Sequence, residues 1–187
     1  MTKYLKVMFG NKGANFEYKI DEVNITTIWN PNAKTGREFG GFNFSDEEHI
    51  LRWLHRGDTL YDVIIPDDAE VIDVIESATP HGVFRSNKII LTNPRKMTDD
   101  MAFEFFTKSK IPATAYPKAL AAVSIMGYKK TANAILKDKV NKNNIDYYIY
   151  EWNDFINNGG DKKRKNSNNL VNEIYQKLEQ IKKNTFK

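Results

Sequence analysis

The polar residues best suited to binding a ligand in this sequence lie close together between Thr79 and Lys96. Neighbouring guanidinium, ammonium and amide groups can hold a phosphate or a carboxylate through charge-assisted hydrogen bonds. The candidate binding residues are His81, Arg85, Asn87, Lys88 and Arg95. The alternative is a strand edge that its charges protect from pairing with other chains. Strand alternation places Arg85 and Asn87 on one face and Lys88 on the other, so the cluster is split unless a bulge intervenes.

Two other groups have both a chemical and a structural interpretation. Clustered carboxylates can bind Mg²⁺ or act in acid–base catalysis, although a Pro-Asp-Asp-Ala turn needs no such function. These acids are Asp67, Asp68, Glu70 and Asp73. Clustered aromatic side chains can stack on nucleic-acid bases, and at helical spacing they also suit core packing. These aromatics are Tyr147, Tyr148, Tyr150 and Trp152.

The composition excludes several catalytic chemistries. The 187 residues include no cysteine, so disulfides, thiolate zinc sites and cysteine nucleophiles are absent. His49 and His55 are six residues apart, and on a helix their directions diverge by about 120°, which disfavours a shared metal. Metalloprotease, phosphate-loop, dinucleotide-binding and serine-elbow motifs are not found. The sequence therefore predicts no metal and no cofactor, and it favours a binding protein over an enzyme.

The net charge of +4 is unevenly distributed. Residues 161–187 carry eight basic and three acidic residues, whereas residues 1–160 have a net charge of −1. A basic run in this tail could contact phosphates with salt-dependent affinity, or it could be a solubilising linker. The nucleic-acid candidates are Lys162, Lys163, Arg164 and Lys165. The chain has neither a signal-peptide pattern nor an 18-residue apolar run, so we expect a cytoplasmic protein without membrane contact.

The spacing of apolar residues predicts an α+β fold that positions these groups. Period-two runs in the first half indicate a twisted, mainly antiparallel sheet, including a single strand from Val83 to Leu91. One helix is expected after a capping box formed by Ser45 and Glu48. The predicted divisions are a β-rich domain (1–96), a helical subdomain (97–158), a linker (159–169) and a basic C-terminal helix (170–187). The apolar stripe of that last helix either docks on the body or binds a partner.

Part of the chain resembles the ADP-ribosyltransferase-like fold. The segments GGFNFS, LYDVIIPDDAEVIDV and VFRSNKIIL, between Phe39 and Leu91, follow the order of that family's central strands. The resemblance implies NAD as a cofactor, Ser45 as the strand-end hydroxyl, and Phe44 or Phe42 as the aromatic near nicotinamide. Asn87 and Lys88 occupy the strand where the family carries its catalytic glutamate. A relative that binds NAD without catalysis is therefore equally implied.

A second resemblance covers nearly the whole chain. The segments FGNKG, WNPNA, GGFNFS, RGDTLYDV, PHGVFRSNKIILTNPR and DKVNKNNID together resemble a largely uncharacterised family of short proteins from Gram-positive bacteria and their phages. The resemblance implies a mobile-element setting, in which small proteins often inhibit host defence, including RNA-guided nucleases (anti-CRISPR-type inhibition).

Three functional hypotheses follow from these observations. The first is a non-enzymatic binding protein that engages a nucleic-acid-handling complex or the nucleic acid itself. The second is an ADP-ribosyltransferase-like enzyme or an NAD-binding relative. The third is an assembly protein whose tail helix pairs with another copy. The first hypothesis implies a protein or ribonucleoprotein partner, with nucleic acid contacted through the tail.

Overall fold

The computed structural model describes residues 2–13, 16–33, 38–75, 81–158 and 169–185. The chain divides into two compact units. The sheet unit comprises Met1–Ile50, Arg56–Met97 and Lys108–Ile111. The helical unit comprises Leu51–His55, Thr98–Thr107 and Pro112–Lys187.

The sheet unit contains an open antiparallel sheet. Its strands among the described residues are β1 (Tyr4–Met8), β2 (Val23–Ile25), β3 (Phe42–Asp46), β4 (Thr59–Ile64), β5 (Val71–Asp73), β6 (Phe84–Ser86) and β7 (Lys88–Lys96). The strand order is β2-β7-β4-β1-β3-β6-β5, and each neighbouring pair is antiparallel. The predicted antiparallel sheet is therefore confirmed.

The prediction of one strand from Val83 to Leu91 was wrong. Asn87 separates β6 from β7, and three other strands lie between these two in the sheet order. The Asn87 backbone donates to the Glu70 carbonyl (3.3 Å) and accepts from the Thr26 amide (3.0 Å). Its side-chain Oδ1 also accepts from the Glu70 amide (2.9 Å). Asn87 thus joins segments from the two ends of the sheet, which requires the sheet to curl.

One face of the sheet forms an apolar core. Its buried members are Met8, Tyr18, Phe42, Phe44, Tyr61, Val63, Ile89 and Leu91. Ile89 and Leu91 are 0% exposed, whereas Ile90 between them is half-buried. Successive strand residues point to opposite faces, so the alternation predicted for this segment holds within β7.

The predicted capping box after β3 was also wrong. Ser45 belongs to β3, and its hydroxyl donates to the Gly82 carbonyl (2.6 Å). Asp46 Oδ1 instead accepts from the amides of Glu48 (3.0 Å) and His49 (2.9 Å). The following helix, Ile50–Arg56, is a 3₁₀ helix rather than an α-helix. A carboxylate one residue further along satisfies the free amides of this turn, so Ser45 remains available to the sheet.

The helical unit is built around a buried central helix. The α-helices are α1 (Asp99–Lys108), α2 (Tyr116–Ile125), α3 (Lys129–Lys139), α4 (Ile145–Asn158) and α5 (Leu170–Thr185). Helix α2 is buried along most of its length, and alanines at 119, 121 and 122 allow α3, α4 and α5 to approach it closely. These helices and the sheet confirm the predicted α+β class.

The stripe of α5 docks within the helical unit. Leu170, Ile174 and Leu178 are all buried, the last two completely. Ile181 is only half-buried. The apolar face of this helix is therefore already covered by its own chain, and its opposite side carries the basic and amide residues.

Candidate nucleic-acid interface

Helices α3 and α5 lie side by side and run in the same direction. Lys129 Nζ contacts Glu173 Oε2 (3.0 Å), and one turn further along Lys177 Nζ donates to Asn133 Oδ1 (2.7 Å). Both pairs are 44 residues apart. Residues four apart share one side of a helix, so this constant offset sets corresponding turns of α3 and α5 opposite each other.

A shallow groove of about 330 Å³ lies between these two helices. It is lined by Asn133, Leu136, Lys137, Lys177, Gln180, Ile181 and Asn184. Two ammonium groups and three carboxamides thus surround an aliphatic floor, and the described lining contains no carboxylate. Lysine provides three N–H donors, and each amide provides both a donor pair and an acceptor. The arrangement suits an anionic ligand that also has hydrogen-bonding and apolar surfaces.

Glu173, which contacts the lining residue Lys177, is held by two lysines. Glu173 accepts from Lys129 Nζ and from Lys177 Nζ, each at 3.0 Å. These hydrogen bonds, with that from Lys129 the larger, lower the pKa of the Glu173 carboxyl. The carboxylate therefore stays ionised and its charge is offset locally, so Lys137 at the next turn of α3 faces the groove without a lining carboxylate beside it.

The position of α3 depends on an acid from α1. Asp99 accepts from the amides of Lys130 (2.7 Å) and Thr131 (3.0 Å), and from the Thr131 hydroxyl (2.8 Å). Tyr128, at the start of α3, provides no side-chain cap. Asp99 therefore supplies from another helix the carboxylate that a local N-cap residue normally provides.

The residues predicted around β6 and β7 do not converge on one site. Arg85 donates to the Gly40 carbonyl (2.7 Å), and Lys88 pairs with Asp68. Arg95 binds both carboxylate oxygens of Asp62, at 2.6 and 3.0 Å. Asn87 forms the sheet connection described above. The His81 imidazole is 70% exposed, and its Nδ1 lies 3.7 Å from Asp73 Oδ2.

The residues singled out by the ADP-ribosyltransferase resemblance lie inside the sheet unit. Phe44 is 5% exposed and packs edge-on against Tyr4, with ring centroids 5.1 Å apart. Ser45 is 1% exposed and binds Gly82, as noted above. Both side chains thus have structural contacts within the chain. The basic run Lys162, Lys163, Arg164 and Lys165 lies outside the described residues.

The acidic and aromatic clusters have different outcomes. Glu70 accepts from the Trp29 indole (2.6 Å), and Asp68 pairs with Lys88. Among the described residues, no group of three or more histidine, aspartate or glutamate side chains could hold a metal ion.

Tyr148 and Trp152 are buried, whereas Tyr147 and Tyr150 are 39% and 69% exposed. The aromatic cluster is therefore half core and half surface.

The sequence patterns missed a buried lysine in the sheet. Lys6 is 7% exposed, and its Nζ donates to the backbone carbonyl and to Oδ1 of Asn43. Burial, with a smaller effect of the nearby Arg85 guanidinium, lowers the pKa of Lys6 to about 7. The ladder between β1 and β3 pairs Tyr4 and Leu5 of β1 with Asp46 and Ser45, and the Lys6 side chain contacts β3 beyond these pairs. Within the alternating sequence KYLKVMF, nothing distinguishes the buried Lys6 from a lysine that faces solvent.

The sequence analysis did not predict the groove, although each of its two helices shows a recognisable polar pattern. Asn133 and Lys137 are four residues apart, and so are Gln180 and Asn184. Each pair predicts a polar stripe beside an apolar one. Their meeting depends on the 44-residue offset between helices, which no local pattern contains.

In the part of the chain that the structure describes, no helix has the length and apolar character needed to cross a bilayer. No protein-family model matches this chain, and neither a curated protein nor a solved structure matches it.

Proposed function

We propose that this chain is a non-enzymatic binding protein that engages nucleic acid, free or within a ribonucleoprotein, through the groove between α3 and α5. The observation that carries the proposal is the composition of that groove: two lysines and three carboxamides with no carboxylate in the lining. Residues 112–187 contain 14 basic and seven acidic residues, so the wider field also favours a polyanion.

The groove chemistry matches the parts of a nucleic-acid strand. Lys137 and Lys177 can contact phosphates, which supply most of the affinity in such complexes. Gln180 and Asn184 can hydrogen-bond to sugar hydroxyls, phosphate oxygens or base edges, while the Asn133 amide is engaged by Lys177 and by the Lys129 carbonyl. Leu136 and Ile181 form an apolar floor for a sugar or a base. A small metabolite would be poorly enclosed by this open groove, because ligand pockets normally bury most of their ligand.

The family resemblance suggests the biological setting of this proposal. In a phage or mobile element, the target is a host defence complex that handles nucleic acid, and the groove contacts its guide or target strand. Inhibition then results from occupying that strand, so no catalytic group is needed. Lys162, Lys163, Arg164 and Lys165 join α4 to α5 in sequence and can add phosphate contacts.

Fluorescence anisotropy with labelled 20-nucleotide RNA and DNA tests the proposal. The variant Lys137→Gln/Lys177→Gln removes both groove charges while keeping polar side chains. Lys118→Gln/Lys142→Gln is the matched control, because it makes the same charge change elsewhere in the helical unit. We expect the groove variant to bind at least about tenfold more weakly and the control to change less than about twofold. Equal affinities of the two variants, or no binding by the wild type, would contradict the proposal.

A pull-down from a Gram-positive host lysate addresses the partner. Captured proteins that disappear after RNase or DNase treatment indicate binding through nucleic acid. Proteins that remain after nuclease treatment and are captured equally by the groove variant would contradict a role of the groove in partner binding.

A further inference from the structure

Resting on the proposed function, we infer that the ligand is single-stranded nucleic acid and that one unpaired base stacks on Tyr150 of α4. Tyr150 is 69% exposed, whereas Tyr148 and Trp152 of the same helix are buried.

Tyr150 stands in a depression whose other side chains can read a base edge. The depression has a volume of about 320 Å³ and is lined by Tyr150, Asn153, Asp154, Asn157 and Asn158. Asn153 and Asn157 follow Tyr150 by three and seven residues, so they share its side of α4. Carboxamides both donate and accept, and they form paired hydrogen bonds to base edges. Asp154 Oδ1 accepts from Asn158 Nδ2 (3.0 Å).

The depression on α4 and the groove between α3 and α5 lie on neighbouring helices of the helical unit. Lys182 near the end of α5 pairs with Asp146 in the first turn of α4 at 2.8 Å, so these helices run antiparallel. Asp146 and Tyr150 are four residues apart and share one side of α4. Helix α5 therefore lies between α3 and α4. The outward side of α5 carries Asn172, Gln176 and Lys183, all of them exposed.

The preference for a single strand over a duplex follows from the exposed tyrosine ring and the amide groups near it. A duplex offers phosphates to lysines but keeps its base faces stacked inside, where Tyr150 cannot reach them. Base–aromatic stacking contributes substantially to single-strand binding and tolerates any sequence. Recognition by unstacked bases, aromatic rings and amides is typical of proteins that bind single-stranded RNA. A surface tyrosine alone would be ordinary; the flanking amides and the adjoining basic groove distinguish this one.

The test compares Tyr150→Ala with Tyr150→Phe on a labelled single strand and on the duplex of the same sequence. Tyr150→Phe keeps the stacking ring and should bind within about twofold of the wild type. Tyr150→Ala should bind the single strand at least about fivefold more weakly and leave duplex binding unchanged. A single strand lacking all its bases should not discriminate between the wild type and Tyr150→Ala. Circular dichroism verifies that both variants keep their helices.

The outcomes separate the two proposals. If Lys137→Gln/Lys177→Gln weakens binding while Tyr150→Ala does not, the stacking inference is overturned and the groove function stands. If Tyr150→Ala weakens duplex binding as much as single-strand binding, the ring contributes to fold or charge rather than stacking, and the inference is again overturned. Absence of wild-type binding to every oligonucleotide overturns both.

Discussion

Lys6 brings an ammonium group onto the apolar face of the sheet, where it lies opposite the core residue Tyr61. Its Nζ donates to Asn43, and the Tyr18 ring lies 5.3 Å away. Taking a cation out of water disfavours its charged form, and this burial is the main cause of the lowered pKa. Burial likewise raises the pKa of the Tyr18 phenol to about 12, so that group stays neutral.

Replacing this lysine should stabilise the protein in a pH-dependent way. The pKa of Lys6 falls from 10.5 to about 7 on folding, so between these values the unfolded chain binds more protons and wild-type stability rises with pH. The cost of the buried charge is fully present below pH 7. Lys6→Met should therefore raise the free energy of unfolding by about 2 kcal/mol at pH 6, with little gain at pH 10. Urea unfolding at both pH values measures this.

Lys3→Met is the control for that experiment. Lys3 directly precedes β1, but its side chain is 52% exposed. We expect a change within about 0.5 kcal/mol at either pH. An equal effect of the two substitutions, or a gain from Lys6→Met that does not shrink at high pH, would show that charge burial is not the cause.

Arg95 is explained by its intramolecular partner. Its guanidinium forms two hydrogen bonds to Asp62, and these are the main cause that lowers the pKa of Asp62 to about 2. A carboxyl whose pKa is lowered on folding contributes stability that is present above its unfolded pKa of 3.8 and is lost as the pH falls towards 2.

Arg95→Gln should therefore lower the free energy of unfolding by about 1 kcal/mol at pH 7, since solvent screens this partly exposed pair. The difference from the wild type should shrink as the pH falls from 4 towards 2. Lys96→Gln, at the adjacent exposed position, should leave stability unchanged. If Arg95→Gln has no effect on stability at pH 7, the pair is not structural and Arg95 returns as a candidate for ligand binding.

At the scale of elements, the α3 cap connects local sequence to the groove. Asp99 accepts hydrogen bonds from two free amides at the start of α3. The neighbouring Asp100 is 80% exposed and pairs with the Lys130 ammonium. Asp99→Ala should lower the free energy of unfolding by about 1 to 2 kcal/mol. Asp100→Ala should cost less than about 0.5 kcal/mol. Thermal unfolding compares the two, and equal losses would contradict the cap.

Most elements could be predicted from periodicity, and the failures have physical reasons. Within β7 the alternation typical of a strand holds, and Ile89 and Leu91 lie in the core. The same alternation continues through Asn87, so the break there depends on hydrogen bonds to distant Thr26 and Glu70. The stripe of α5 was visible, but whether its own chain covers it depends on tertiary packing.

The candidate site was less predictable than the fold, because its residues come from distant segments. The charge distribution pointed to the basic run at residues 162–165, whereas the groove is lined by residues of α3 and α5. The strongest local cluster, near Arg85 and Lys88, is instead engaged in contacts within the chain. A local run of polar residues does not reveal whether those residues will face a ligand or one another.

At the scale of the whole molecule, docking of α5 changes how the basic tail can be tested. Ile174 and Leu178 are 0% exposed, so deleting residues 161–187 removes core side chains together with charges. Losing even one large buried aliphatic residue costs about 2–5 kcal/mol. We expect the deletion to abolish cooperative thermal unfolding of the helical unit. A retained transition at the wild-type temperature would contradict this.

Charge-only substitutions can therefore assign the tail's contribution where a deletion cannot. The logarithm of the affinity for a single strand falls with the logarithm of salt concentration, by about 0.7 per phosphate contact. Lys137→Gln/Lys177→Gln should flatten that slope by about 1.4, and replacing all four cations at 162–165 by glutamine should flatten it by up to about 2.8. Because the two sets lie on different segments, their effects should add in the combined variant. If Lys137→Gln/Lys177→Gln leaves the salt dependence of the affinity unchanged, the groove does not contact the strand. If replacing residues 162–165 leaves the salt dependence unchanged, that run is a solubilising linker.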